Sequence, residues 1–394
     1  MFGKYKTLID WQQAVYLTEE LIKIETCSSA DKREILNYIA GVLGELETQI
    51  IVPDAAEPYL ISKIASDFQK PDFTLVFEGH LDTVAPGEMR EPLMPRIRKG
   101  KLYGRGACDM KAGCAAMLLA YKEFARLTGK SGQIYLVFVV DEETASKSIV
   151  HALDNNYLPG GDLAVIGEPT ELKLGTAHKG IEWLQVSFYG KAGHSSVPQE
   201  GINAINMASH FIQVIEEYNS REFPGREHPI CGLPTMTIGS IQGGGSFPNV
   251  VPDYCELKID RHFNPNETIS DVWNDMDKCI SLCTERHQGF KASWKRIGVE
   301  KNQVFPSLHF PETNPLYKVI GEAFSEIVGL KIESRGLSFW TEGSLLEKHG
   351  IPSIIFGPGS INQAHSSEEY VLVEDVITAA QAYFSLILRT CLKF

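Results

Sequence analysis

Three apolar runs in the first half of the chain each end in residues able to hold a cation, and this recurrence limits the fold more than any other feature. The first, Thr74-Leu75-Val76-Phe77, empties into Gly79-His80-Leu81-Asp82-Thr83. The second, Gln133 to Val140, is rich in β-branched and aromatic residues and closes on Asp141-Glu142-Glu143-Thr144. The third, Asp162 to Ile166, closes on Gly167-Glu168-Pro169-Thr170. Short apolar runs bounded by turn residues read as buried strands. Open α/β sheets place their sites outside the carboxyl ends of such strands. One sheet with one polar site at its edge is the expectation.

The remaining elements follow from periodicity. Amphipathic helices are predicted over 11–24 and 30–46, short strands over 49–52 and 59–64, and an Ala-rich helix from Lys111 to Leu127. From Glu182 to Tyr189 polar and apolar residues alternate, the pattern of a half-buried antiparallel strand. A helix (201–218), a Pro/Gly-rich connection (223–234), two strands (235–241, 254–260), a helix (268–287) and a strand (290–295) complete a split-βαβ order. Helices at 316–328, 343–348 and 373–388 and a strand at 353–356 restore the α/β style. The predicted fold is an α/β catalytic domain, with a mostly parallel sheet and helices on both faces, discontinuous over 1–181 and 298–394. An α+β ferredoxin-like domain is inserted over 182–297.

Composition excludes several partners. The 394 residues carry a net charge of -13, which argues against nucleic acid, because phosphate binding needs clustered Lys and Arg. No secretory signal opens the chain, and no window approaches the ~18 apolar residues of a membrane span. The eight cysteines include no C-x-x-C, and Cys279 and Cys283 read as packing residues of a helix. A reduced, cytoplasmic protein is expected.

The strand-end groups carry the chemistry. His80 and Asp82 lie two apart on extended backbone and point the same way, so a carboxylate stands beside the second ring nitrogen of a metal-binding histidine. Asp109 precedes the Ala-rich helix, where first-turn N–H groups lack partners. With Glu142, Glu143, Glu168 and His365, which follows Gly357-Pro358-Gly359, these residues suit a pair of borderline cations such as zinc. Two such ions roughly 3.5–4 Å apart share a hydroxide and polarise a carbonyl, and one spare carboxylate takes the proton. Taken singly, each group has a plainer reading: an acidic helix start for 141–143, a turn residue for Glu168, a loop histidine for His194. Ser195 beside His194 raises a serine hydrolase, but no G-x-S-x-G is present, and H-E-x-x-H is also absent.

The motifs His80-Leu-Asp-Thr-Val, Gly104-Arg-Gly-Ala-Cys-Asp-Met-Lys, Asp141-Glu-Glu, Gly167-Glu-Pro-Thr and Ala192-Gly-His-Ser-Ser, in this order, resemble the M20 family of metallopeptidases and amidohydrolases. The segment from Phe356 to His365, with Glu368-Glu369-Tyr370 after it and Thr341-Glu342-Gly343 before it, most resembles the acetylornithine deacetylase branch, which serves arginine biosynthesis. The resemblance implies two Zn2+, with Co2+ or Mn2+ as substitutes. His80, Asp109 and Glu168 would hold one ion and Asp109, Glu143 and His365 the other. Asp82 would orient His80, and Glu142 would be the general base. It further implies that the inserted domain (182–297) is a lid through which a homodimer forms, with His194 reaching the partner's site to stabilise the oxyanion and Asn249 contacting substrate. The substrate would be a small N-acyl amino acid or short peptide, N-acetylornithine first, with succinyl-diaminopimelate or a dipeptide as alternatives and a non-catalytic metal-binding relative as the remaining one. Where the family often has Asp-x-Arg, with the arginine gripping the substrate carboxylate, this chain has Asp260-Arg261-His262.

Overall fold

The apolar stripes of the first fifty residues fold as two helices, α1 (Gln12–Lys23) and α2 (Arg33–Leu43). Each buries one face, Ala14, Leu17, Leu21 and Ile22 from α1 and Ile35, Leu36, Ile39 and Leu43 from α2. The structure is a computed structural model and describes residues 2–27, 30–244, 247–298, 303–329 and 331–393. Strands β1 (Glu47–Ile51), β2 (Tyr59–Ile64) and β3 (Thr74–His80) follow, then two three-residue strands, β4 (Arg96–Arg98) and β5 (Lys101–Tyr103). Helix α3 (Lys111–Ala125) is buried along nearly its whole length. It leads to β6 (Gln133–Val139), α4 (Lys147–Asp154), β7 (Leu163–Ile166) and β8 (Leu174–His178).

The middle of the chain forms the predicted split-βαβ motif: β9 (Gly180–Tyr189), α5 (Ala204–Glu222), β10 (Thr235–Gly243), β11 (Tyr254–Phe263), α6 (Ile269–Arg286) and β12 (Ala292–Arg296). Its four strands pair antiparallel in the order β10-β11-β9-β12. Two side-chain caps start the helices. Asn203 accepts from the N–H groups of Ile205 and Asn206 at 2.9 and 3.3 Å, and Thr268 and Asp271 form a reciprocal capping box. Cys279 and Cys283 are buried in this unit's core beside Val272 and Met276, as their helical spacing predicted.

The chain then returns through α7 (Leu316–Val328), α8 (Gly343–Lys348), β13 (Ser353–Ile355), β14 (Tyr370–Leu372) and α9 (Val373–Cys391). The large sheet has nine strands, seven of them in the order β1-β2-β6-β3-β7-β13-β8. Its centre, β6-β3-β7-β13, is parallel, but β1, β2 and β8 join antiparallel. The sheet is therefore mixed rather than mostly parallel. The connection from β1 to β2 is too short for a crossover, so those strands can only meet as a hairpin. Helices α1, α3, α7 and α9 pack on one another, while α8 packs on β7 and β13 and touches α4.

Two compact units result: Met1–Thr176, His309–Arg335 and Thr341–Phe394 form one, and Ala177–Leu308 with Gly336–Trp340 the other. The second is wider than the expected 182–297. Phe305 accepts from the Ile181 N–H at 2.9 Å, and Pro306 accepts from the Trp340 indole at 2.9 Å. Gly336 lies so close to Ile230 that a Cβ there would stand 2.0 Å from its carbonyl oxygen. Sequence periodicity missed β4, β5 and β14, which pair as a small sheet in the order β14-β5-β4, because none is a buried apolar run like the equally short β13.

Candidate metal centre

The polar groups gather at and just beyond the carboxyl ends of the parallel strands. His80 ends β3 and is 2% exposed. Its Nε2 lies 3.0 Å from Asp109 Oδ1 and 3.5 Å from Glu168 Oε1, at the end of β7. The other oxygen of Asp109, Oδ2, lies 3.3 Å from His365 Nε2, which is itself 2.9 Å from Glu143 Oε1. Asp109 thus turns one carboxylate oxygen toward each histidine. Donor atoms of His80, Asp109 and Glu143 all fall within 4.8 Å of one another.

Close backbone approach makes this convergence attainable. A Cβ on Gly113, in the first turn of α3, would stand 2.0 Å from the carbonyl oxygen of Gly167, the residue before Glu168. A Cβ on Gly357 would meet the same oxygen at 2.3 Å. Only glycine lets the helix behind Asp109, the end of β7 and the end of β13 crowd together there.

Asp82 does more than its spacing suggested. Its carboxylate Oδ1 lies 3.5 Å from His80 Nδ1, and its backbone carbonyl oxygen is nearer, at 3.1 Å. The same carboxylate accepts from the backbone N–H groups of Glu142 and Glu143 at 3.3 and 3.1 Å. One side chain therefore aligns the end of β3 with the turn after β6. Asp141 does not join the site: it is buried and accepts from the N–H groups of Lys147 and Ser148 at the start of α4.

The electrostatics are those of negative charge crowded out of water. Burial, with Glu168, Glu143 and Asp109 nearby, pushes the Glu142 carboxyl well up. Burial and Asp109 push Glu168 up to about 7. Asp109 resists its own burial, because hydrogen bonds from His365 and His80 hold its carboxyl low. Asp109 and Glu143 in turn hold the His365 imidazole up at about 10. Four carboxylates against two imidazoles, with oxygen and nitrogen donors a few ångströms apart, is a donor set that fits divalent cations.

Several supporting residues escaped the sequence reading. Glu369 is 1% exposed, and its carboxylate accepts from the N–H groups of Gly106, Cys108 and Asp109 at 3.1, 2.8 and 3.1 Å. Arg105 donates to it at 2.6 Å. Lys111, also buried, donates through Nζ to the carbonyls of Leu21 and Ile24, each at 2.9 Å, tying the loop to the end of α1. Glu369 was noticed only as part of a motif, since nothing local marks a partner some 260 positions away.

The second unit carries the other two predicted residues. Its own two short segments pair His194 with Val250, and the Asn249 carbonyl accepts from the Ser195 N–H at 3.0 Å, so His194 and Asn249 are neighbours. The exposed His194 accepts the Ser196 N–H on Nδ1 at 3.2 Å, which in the neutral ring leaves the proton on Nε2. Its near partner is Ser196, whose Oγ is 2.7 Å away, and not Ser195. Arg261 is fully buried, bound to Glu267, Asp275 and the His262 carbonyl and lying over the Phe223 ring. It is a core residue and not a free cation. His262 is half-buried, 3.0 Å from Asp260, and lines a small cavity with Lys179 and Thr235.

Residues 76–389 match the family model described as peptidase family M20/M25/M40. Among curated proteins, acetylornithine deacetylase of Buchnera aphidicola is 29% identical over 91% of this chain and 92% of its own length. Among solved structures, aminopeptidase PepT of Bacillus cereus is 20% identical with a TM-score of 0.79, over 97% of this chain and 99% of that one. A Bacillus subtilis protein described as a dinuclear metal binding peptidase from the M20 family is 15% identical with a TM-score of 0.69, over 96% and 97%.

Proposed function

The chain belongs to peptidase family M20/M25/M40 and is a hydrolase of amide bonds, and on that premise we propose that it is a dinuclear zinc-dependent deacylase of N-acyl amino acids, N-acetylornithine first among them. The observation that carries the reading is Asp109, with one carboxylate oxygen toward His80 and the other toward His365. His80, Asp109 and Glu168 would hold one ion and Asp109, Glu143 and His365 the second; cobalt or manganese would serve in place of zinc. Such ions supply Lewis acidity and lower the pKa of water.

The chain's residues do the rest. Asp82 fixes the His80 ring and the Glu142-Glu143 turn together. Glu142, its carboxyl left over from the ligand set, accepts the proton of the attacking water and passes it to the leaving amine nitrogen. His194, supplied by the second subunit of a lid-mediated homodimer, donates its Nε2 proton as charge gathers on the carbonyl oxygen, and Asn249 contacts the substrate. Exposed Val197, Ile202, Ile205, Ile241 and Phe247 on the same unit supply apolar area of the kind that marks an interface. The burial of seven of the eight cysteines and the lack of any membrane-spanning helix among the described residues suit a reducing cytoplasm. The acyl preference rests on the curated relative, since succinylated and dipeptide substrates would use the same chemistry.

The test is release of free amine from N-acetylornithine by metal-stripped and zinc- or cobalt-reloaded protein. We expect metal-dependent turnover, reduced at least 100-fold in Glu142→Ala with bound metal unchanged. Turnover of succinyl-diaminopimelate or a dipeptide instead would move the substrate and keep the centre. Failure to bind metal would remove the reading altogether.

A further inference from the structure

The stretch from Arg90 to Lys101 plays no part in that chemistry, yet it gathers Arg90, Arg96, Arg98, Lys99 and Lys101 in a chain whose net charge is -13. Strand β4 pairs with β5 so that Arg96 lies opposite Tyr103 and Arg98 opposite Lys101. Alternate residues of a strand share a face, so Arg96 and Arg98 project on the same side, while Leu102 between Lys101 and Tyr103 is buried. Arg96, Arg98 and Tyr103 form one wall of a cavity of 560 Å³ contained within the catalytic unit.

Its charges balance. Arg90, Arg96 and Arg98 line it, and so do Glu88, Glu91 and Glu368. Arg96 and Glu91 form an ion pair. Arg90, Arg98, Glu88 and Glu368 form none among the described residues, so two cations and two anions face one opening unpaired. Met89 and Met94 add an adaptable apolar surface. A plain anion would meet three carboxylates here, and a plain cation three guanidinium groups. A molecule bearing both charges satisfies the wall on each side.

We infer that this cavity binds a free α-amino acid as its zwitterion. The carboxylate is held by the guanidinium groups of Arg90 and Arg98, the ammonium by Glu88 and Glu368, and the side chain by the two methionines. The cavity also adjoins the centre through the chain itself. Gly104 in its wall begins the loop that carries Asp109, and Ser367 and Glu368 stand between His365 and Glu369.

Calorimetric titration of zinc-loaded protein with L-leucine tests this, against L-leucinamide, which lacks the carboxylate, and 2-hydroxy-4-methylpentanoate, which lacks the ammonium. We expect L-leucine to bind at least tenfold tighter than either analogue. Arg98→Gln and Glu368→Gln should each weaken it at least tenfold and leave N-acetylornithine turnover within twofold. Both replaced side chains are exposed, so the fold should be undisturbed. No binding of L-leucine, equal binding of either analogue, or binding unchanged in both variants (which would put the amino acid elsewhere) would overturn the proposal.

Discussion

Asp82 shows how little of a residue's work lies in its spacing. Two positions from His80, it was legible as that histidine's companion, because a strand turns alternate residues the same way. Its grip on the N–H groups of Glu142 and Glu143 was not, since nothing near Asp82 in the sequence names a partner 60 positions on. Asp82→Asn should therefore disturb both the ring and the turn. We expect a 10- to 100-fold loss of metal affinity, measured by competition with a chromogenic chelator. A residue away from the centre gives a separate test. Burial pushes the Glu347 carboxyl, which accepts the His309 N–H at 3.1 Å, up to about 7. A carboxyl raised above its unfolded value favours the fold at low pH and loses that contribution as pH rises through its folded value. Glu347→Gln should leave stability nearly unchanged at pH 4.5 and raise it at pH 8, as read from denaturant midpoints at the two pH values.

Among the elements, continuous apolar runs and amphipathic stripes were legible, and short strands without them were not. The apolar runs became β3, β6 and β7, and the alternating segment from Glu182 became part of β9, because burial on two faces or one writes directly into composition. β4, β5 and β14 left no such trace. Neither did the crowding of α3 against the end of β7, where three glycines spaced far apart in the chain meet. Gly113→Ala pushes a methyl group against the Gly167 backbone, which has no side chain to swing aside. Overpacking of this kind costs about 1–3 kcal/mol, and here the strain falls on the turn that presents Glu168. Both a lowered thermal midpoint and a lower affinity for the metal are expected; a loss of stability with metal affinity intact would detach the glycine contact from the site.

For the whole molecule, the split-βαβ order announced an inserted unit, whereas the return of residues 336–340 to it depends on a backbone contact that composition does not record. The groups proposed to hold cations belong to one unit alone, so metal should stabilise that unit first. A ligand held at 100 times its dissociation constant adds about 2.7 kcal/mol. Chelation should therefore lower a thermal transition assigned to the catalytic unit and leave that of the inserted unit in place, by calorimetric scanning with and without chelator.

The two halves of the centre also differ in when they come into existence. His80, Asp109 and Glu168 all precede the inserted unit in the chain, but Glu143 must wait for His365, 222 positions later, and the Asp109 loop for Glu369. At the roughly 5–20 residues per second of protein synthesis, that wait is about 10 to 45 s. On the proposed ligand sets, the emerging chain therefore carries every ligand of the first ion long before His365, on which the second depends, and neither set is fixed until Glu369 closes on the Asp109 loop.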